Sequence, residues 1–256
     1  MTIMQLFDCS DKIAVVTGGG RGLGRIMAES LAEAGAQVIL CSRKVEALEE
    51  TADKIQKSGH KSLSMALDVT NPEDVEQVVQ KTMEMWGRID ILINNAGTSW
   101  GASALDMPLD AWHKVIETNL TGTFLMSQRV GREMVSRKSG KIINIASVAG
   151  LGGSRPDVLD AVGYSASKAG IIALTKDLAV KWGPYGVTVN AIAPGFFPTK
   201  MTRVLLERHG EAILQQIPLG RFGTEDDIKG LIVFLSSRAS DYMTGSIVVV
   251  DGGQQA

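Results

Sequence analysis

KIAVVTGGGRGLG, residues 12–24, runs from a short apolar stretch straight into a cluster of glycines. Behind it, RIMAESLAEAG (25–35) repeats its apolar residues at intervals of three and four, the period of an amphipathic helix. A glycine cluster between strand and helix leaves the first N–H groups of the helix unpaired, beside the positive end of its dipole, where an anion binds well. Gly18, Gly22 and Gly24 would permit a tight turn, close backbone approach to a pyrophosphate, and close helix–strand packing. A merely flexible turn would not need three spaced glycines. The stretch therefore predicts a nucleotide-binding βαβ unit at the start of a layered α/β fold.

The rest of the chain repeats that alternation. Six further runs read as strands: QVILCS (37–42), KSLSMAL (61–67), IDILIN (89–94), KIINIAS (141–147), GVTVNAI (186–192) and SIVVVD (246–251). Most are apolar throughout, as parallel strands covered on both faces must be. KVEALEETADKIQKSG and PEDVEQVVQKTMEMWG carry the helical period between them and end in glycine. The expected fold is α/β: one Rossmann domain over residues 1–256, a doubly wound seven-stranded parallel sheet with helices on both faces. Two segments break the rhythm, 148–162 after the fifth strand and 193–223 after the sixth. Both leave from the carboxyl edge of the sheet, where doubly wound folds bind ligands, and are expected to wall a substrate pocket.

Of the 256 residues 45% are hydrophobic and 21% charged, with a net charge of −2. That balance lacks the basic excess of a nucleic-acid groove or a membrane surface, so neither partner is expected. Cys9 and Cys41 form no CxxC, and His60, His113 and His209 are scattered, so no disulfide framework and no metal site is expected. The opening MTIMQLFDCSDK is not a signal peptide, and no apolar run reaches the length of a membrane span. The expectation is a soluble, reduced, cytoplasmic protein.

The second strand bears on which nucleotide binds. An NAD site places an acid at its end to accept from the ribose 2′-hydroxyl. Here Ser42 stands in that position and Arg43 follows, free to fork onto a 2′-phosphate. Arg21 in the glycine loop is a second cation on the same side. Either arginine alone reads as a solvated surface charge; both together, with the acid missing, predict NADP(H). Asp68, ending the third strand, reads equally as an acceptor for the adenine amine or as a turn or helix-capping residue.

GYSASKAG (163–170) sets Tyr164 and Lys168 one helical turn apart, on one face. The small residues around them are expected to leave room for a cofactor and a carbonyl. NNAG (94–97), Asn119 and Ser147 precede them in order. With TGGGRGLG, NNAG, the serine of INIAS, YSASK and the PG of NAIAPG in sequence and spacing, the chain resembles the short-chain dehydrogenase/reductase family over nearly its whole length. The resemblance implies hydride exchange between NADP(H) and a carbonyl or secondary alcohol. It makes Tyr164 the general acid or base, with Lys168 and an oxidised nicotinamide lowering the phenol from its ordinary pKa near ~10. Lys168 would also hold the nicotinamide ribose, Ser147 the carbonyl oxygen, and Asn119 a proton-relaying water. Further cofactor contacts implied are Leu23, Val69, Asn95, Ala96, Gly97, Pro194, Gly195 and Thr199, with Ile192 bordering the nicotinamide. Tyr185 and Tyr242 read as packing residues.

NNAGTSWGA and NAIAPGFFPTKMT are closest in motif to NADPH-dependent 3-oxoacyl reductases, which implies a thioester substrate on coenzyme A or acyl carrier protein. Trp100, Phe196, Phe197 and Met201 would meet an acyl chain or serve as ordinary lid packing, and Arg155 or Arg203 would meet a carrier phosphate. A polyol or keto-sugar acid dehydrogenase, such as gluconate 5-dehydrogenase, is the alternative; a non-catalytic nucleotide-binding regulator is the reading from another class. The seventeen positions from Ser147 to Tyr164 exceed the family's usual interval, and the extra GGSRPDVLD should bulge over the pocket mouth. Family likeness also implies a homotetramer, with helices at 109–135 and 160–182 as its interface.

Overall fold

The computed structural model describes all 256 residues, Met1–Ala256. Seven strands form one sheet: β1 Ile13–Thr17, β2 Gln37–Ser42, β3 Ser62–Ala66, β4 Ile91–Asn94, β5 Gly140–Ile145, β6 Val187–Pro194 and β7 Ile247–Val250. Their order is β3-β2-β1-β4-β5-β6-β7, and every pairing is parallel. All seven expected strands are present. The chain walks outward from β1 to β3, then returns to lay β4 on the other side of β1. The topological switch point therefore lies between β1 and β4, and the crevice outside their carboxyl ends is where a ligand fits.

The helices are α1 Ile3–Leu6, α2 Gly22–Glu33, α3 Val45–Lys57, α4 Pro72–Trp86, α5 Leu109–Ile116, α6 Gly122–Arg137, α7 Val162–Trp182, α8 Arg203–Leu214 and α9 Asp226–Ser236. Successive side chains of a strand point to opposite faces, which explains the unbroken apolar runs. Ala14 and Val16 of β1 join a core with Met27 and Leu31 of α2 and Ile232 of α9. Ile13 and Val15 join a second core with Val79 of α4 and Met126 and Val130 of α6. Between α5 and α6 the helix widens to a π-turn at Glu117–Thr121, and this carries Asn119 into the interior.

Tyr185 and Tyr242 do not pack: both are at the surface, Tyr242 fully so. Tyrosine's ring suits a strand edge or a core equally, so composition could not separate the two. No helix is long and apolar enough to cross a membrane.

Candidate active site

The glycine loop is shaped by its neighbours. Gly18 has φ +67°, in the left-handed region, and a Cβ there would stand 2.8 Å from Asn95 Nδ2. Gly24 is tighter: a Cβ would come within 2.2 Å of the Gly18 carbonyl oxygen and 2.4 Å of Asn95 Nδ2. Asn95 Nδ2 donates to Thr17 O at 3.1 Å and Gly18 O at 3.2 Å. The backbone N–H groups of Asn95 and Ala96 both donate to Thr17 Oγ1 at 3.0 Å. The turn after β1 and the turn after β4 are thus bolted together across the switch point. Thr17, which sequence reasoning passed over, is the bolt; its signal was a hydroxyl ending an otherwise apolar strand.

Along this edge runs a cleft of about 1010 Å³. At one end lie Ser42, Arg43, Asp68 and Val69; in the middle Gly18, Arg21, Gly22, Leu23, Asn95, Ala96, Gly97 and Thr199; at the other end Ser147, Tyr164, Lys168, Pro194 and Gly195. Gly24 lies beneath the loop, off the cleft wall, in the close-packing role expected of one of the three glycines rather than as a direct ligand contact. Two other residues expected at the ligand are not on the cleft wall. Ile192 is fully buried in the core of α2 and α9. Asn119 has its side chain in use: Oδ1 accepts from Thr98 N at 2.8 Å, and Nδ2 donates to Thr98 O and Ser167 Oγ, both at 2.9 Å. Its amide clamps the loop after β4 to α7, with both Nδ2 donors engaged.

At the nucleotide end, Asp68 is a turn residue. Its Oδ1 accepts from Thr70 N at 3.0 Å and Thr70 Oγ1 at 2.7 Å, and its Oδ2 lies 3.9 Å from Arg43 Nη1. Partial burial works to raise its carboxyl, but the Thr70 hydrogen bonds and the Arg43 charge hold it below the ordinary carboxylate range. Arg21 and Arg43 stay exposed on the cleft wall.

At the other end, Ser147 closes β5 and caps a short turn, its Oγ accepting from Ala149 N at 3.2 Å. Tyr164 lines the same end of the cleft as Ser147. Lys168 Nζ lies 5.5 Å from the Tyr164 ring centroid and donates to Ile145 O at 2.6 Å. Burial pushes the Lys168 ammonium down to about 8. Burial also raises the Tyr164 phenol, with Ser147 opposing it. The expected lowering of Tyr164 is therefore not produced by the protein's own groups, because desolvation of the phenolate outweighs them.

The small residues of 163–170 also allow close packing on the other faces of α7. A Cβ on Gly170 would stand 2.7 Å from Leu120, and Gly163 faces Met107 and Trp112. Gly150 presses on the Lys168 backbone, where a Cβ would be 2.6 Å from its carbonyl carbon. Ser167 Oγ donates to Tyr164 O at 2.7 Å while accepting from Asn119. Their smallness lets neighbouring segments grip α7 and hold the tyrosine–lysine face still. A buried chain continues that grip: Asn94 to Asn144 at 2.8 Å, and Asn144 to Thr175 at 2.9 Å.

The Lys168 shift has a measurable consequence for the nucleotide-free protein. Below pH 8 lysine is protonated in both states, and folding carries the full penalty. Between about 8 and the ordinary 10.5 the unfolded chain keeps a proton that the folded chain has released, so stability rises with pH across that window. Lys168→Met removes this dependence. Its stability advantage over the parent should shrink by about 3 kcal/mol across the window, read as melting temperatures of both proteins against pH.

The excursion after β6 supplies the outer wall. Met201, Val204 and Leu205 face the cleft, as do Phe196 and Phe197. Phe197 is at the same time part of the core. Trp100, half-exposed, faces away from it, and so do Arg155 and Arg203, which pair with Asp157 and Glu207. From the longer Ser147–Tyr164 connection, Ser154, Pro156, Val158, Leu159 and Asp160 reach the cleft, as its expected place at the mouth requires.

A nucleotide-shaped cleft ending in a serine, a tyrosine and a buried lysine on a doubly wound sheet defines a dehydrogenase or reductase. A family model described as enoyl-(acyl carrier protein) reductase matches residues 18–255. The chain is 42% identical over 249 residues to a 2-dehydro-3-deoxy-D-gluconate 5-dehydrogenase of Bacillus subtilis, covering 96% of each chain. It is 40% identical over 243 residues to a 3-oxoacyl-[acyl-carrier-protein] reductase of Aquifex aeolicus, covering 94% of this chain and 96% of the relative. A gluconate 5-dehydrogenase of Burkholderia cenocepacia, solved with NADP and tartrate, superposes with a TM-score of 0.94 at 34% identity over 99% of both chains. The protein belongs to the short-chain dehydrogenase/reductase family and is an oxidoreductase of that family.

Proposed function

We propose that the protein reduces a 3-oxoacyl thioester, carried by coenzyme A or acyl carrier protein, at the expense of NADPH. The observation that carries the chemistry is Ser147, Tyr164 and Lys168 converging at one end of a cleft whose far end presents Arg43, with Arg21 in the glycine loop between them. The cleft fits a dinucleotide: Gly18 and Gly22 bring backbone to its wall without side chains, and Ser42 stands at the end of β2 where an NAD site has an acid, with Arg43 next to it. Asp68, Val69, Asn95, Ala96, Gly97, Pro194, Gly195 and Thr199 would complete that wall. Bound nicotinamide supplies the hydride.

The chain's own part is the proton and the geometry. Tyr164 Oη, kept protonated by burial, donates to the developing alkoxide, and Ser147 Oγ stabilises charge on the same oxygen. Lys168 Nζ, with its pKa near 8, is still largely charged at neutral pH and releases a proton more readily than an exposed lysine. Asn119 acts as a positioning residue, fixing Thr98 and Ser167 around the tyrosine. The reading as a non-catalytic regulator has no feature in its favour, since tyrosine, lysine and serine are all in place.

Met201 and Val204 are exposed apolar side chains within the cleft and suit an acyl chain. The keto-sugar acid reading is favoured by a different observation: His209, Gln254 and Gln255 bring hydrogen-bonding groups to the same cleft, and polyhydroxylated substrates need such partners. Comparing turnover of acetoacetyl-CoA with that of 5-ketogluconate, using NADPH and NADH in parallel, separates the two. Thioester reduction with NADPH supports the first reading; turnover of the keto-acid alone replaces it with the second.

Cofactor choice is tested separately. Arg43→Ala should weaken NADPH binding by about tenfold or more, the worth of a charge-assisted hydrogen bond, and leave NADH within about twofold. Fluorescence titration reads both; an equal effect on the two nucleotides sinks the NADP(H) assignment. A cytoplasmic homotetramer completes the proposal. Leu109, Phe124, Val162 and Val180 expose apolar side chains on the helices expected at its interface, and sedimentation velocity measures the assembly.

A further inference from the structure

We propose that Arg208, with His209 on the same cleft wall, recognises an anionic group that the substrate carries beyond its carbonyl, and so sets which carbonyl compounds the cleft accepts. This role rests on the carbonyl-reductase reading of the same cleft. Val204, Leu205, Arg208 and His209 all line it, in pairs one helical turn apart on α8. Leu205, Leu206 and Ile213 of the same helix pack into one apolar cluster with Val158 and Ile217, which anchors the helix over the cleft. At about 1.5 Å per residue, Arg208 stands roughly 6 Å beyond Val204 along the helix axis. The lid thus offers an apolar contact and then a cation.

That cation lacks the carboxylate its neighbours have. Arg203 pairs with Glu207 at 3.7 Å and Arg221 with Asp227 at 2.7 Å, whereas Arg208 has no acidic partner. The carboxylates on the cleft wall are Asp68, at the Arg43 end, and Asp160, on the 148–162 segment, and neither pairs with Arg208. The C-terminal tail lines the same cleft through Gln254 and Gln255. Asp251 holds it by accepting from Gly253 N at 2.9 Å and Gln255 N at 2.8 Å. Gln254 lines the cleft, and its Oε1 is buried with no hydrogen-bond partner. A buried amide oxygen left unpaired is unfavourable and is satisfied by a hydroxyl or N–H of a ligand. The guanidinium of Arg208, on the wall of the same cleft, matches a carboxylate or phosphate through its forked donors. The anion is therefore either the carboxylate of a keto-acid or a phosphate of a pantetheine-borne thioester.

The test is calorimetric titration of the NADP⁺-loaded protein with D-gluconate and with coenzyme A. The parent should bind at least one of them, and Arg208→Ala should weaken that binding by at least about tenfold. Arg208→Lys should keep part of it, and Arg203→Ala, which removes the same charge from the same helix outside the cleft, should leave it unchanged. Binding of gluconate identifies a carboxylate, binding of coenzyme A a phosphate. In turnover, Arg208→Ala should raise KM for the matching anionic substrate with kcat within about twofold, and leave the neutral ethyl acetoacetate unaffected. Failure of both probes to bind the parent, or equal binding by Arg208→Ala, overturns the proposal. Anion binding that depends on Arg208, in a protein that reduces no carbonyl, overturns the reductase reading instead and leaves the anion site standing.

Discussion

Tyr164→Phe is expected to lower kcat by about 10²–10⁴-fold, the usual contribution of a positioned general acid, while NADPH binding stays within about threefold. The substitution removes one oxygen and keeps the ring. Lys168 does not depend on that oxygen for its place, because its Nζ is held by Ile145 O at 2.6 Å. Ser147 keeps its own anchor at Ala149 N. The variant therefore separates proton transfer from cofactor binding. Stopped-flow reduction and fluorescence titration of the same preparation decide it. Turnover close to the parent's would remove Tyr164 from the proton path; a matching loss of NADPH binding would show that the hydroxyl supports the cleft rather than the chemistry. In the parent, alcohol oxidation should speed up as pH rises, since it needs the phenolate that burial disfavours. Carbonyl reduction should instead hold steady and then fall as the proton donors are lost.

The second large effect is expected at Gly24→Ala. A methyl there meets the Gly18 carbonyl oxygen at 2.2 Å and Asn95 Nδ2 at 2.4 Å. Neither can step back, because Asn95 Nδ2 is itself bonded to Gly18 O and Thr17 O. Overpacking of this kind costs about 1–3 kcal/mol, and at roughly 2–4 °C per kcal/mol for a chain of this size the melting temperature should drop visibly. Displacing the loop should also weaken NADPH by at least about tenfold, since the turns after β1 and β4 form one wall. Gly230→Ala is the control. Gly230 lies inside α9 with nothing within 4 Å of an added Cβ, so alanine there should stabilise by up to about 1 kcal/mol. Equal behaviour of the two variants would mean that the loop yields where the structure has it locked.

Much of the site could be read from residue order because its elements are local. Gly18, Gly22 and Leu23 follow one strand directly, and Tyr164 and Lys168 share one helical turn, so each group is brought together by backbone geometry over a few residues. Gly24 is a position where no side chain fits, and it serves the close packing beneath the loop. Asn119 illustrates the limit. Its position matched the family pattern, but the π-turn at Glu117–Thr121 rotates it into a clamp between Thr98 and Ser167. Thr98 and Asn119 are 21 residues apart, and Asn119 and Ser167 are 48; no periodicity connects them.

What the sequence by itself determined is the strand–helix alternation, the parallel sheet, the glycine turn and the face that carries tyrosine and lysine. Each follows from hydrophobic period or from glycine's freedom, which act within a single element. Only the tertiary structure decided that Arg208 and Gln254 share a cleft with Tyr164, that Trp100 and Ile192 do not, and that burial raises the phenol while lowering the ammonium. Those are properties of solvation and of contacts between distant segments, and a side chain's exposure to water is set by every element that packs over it.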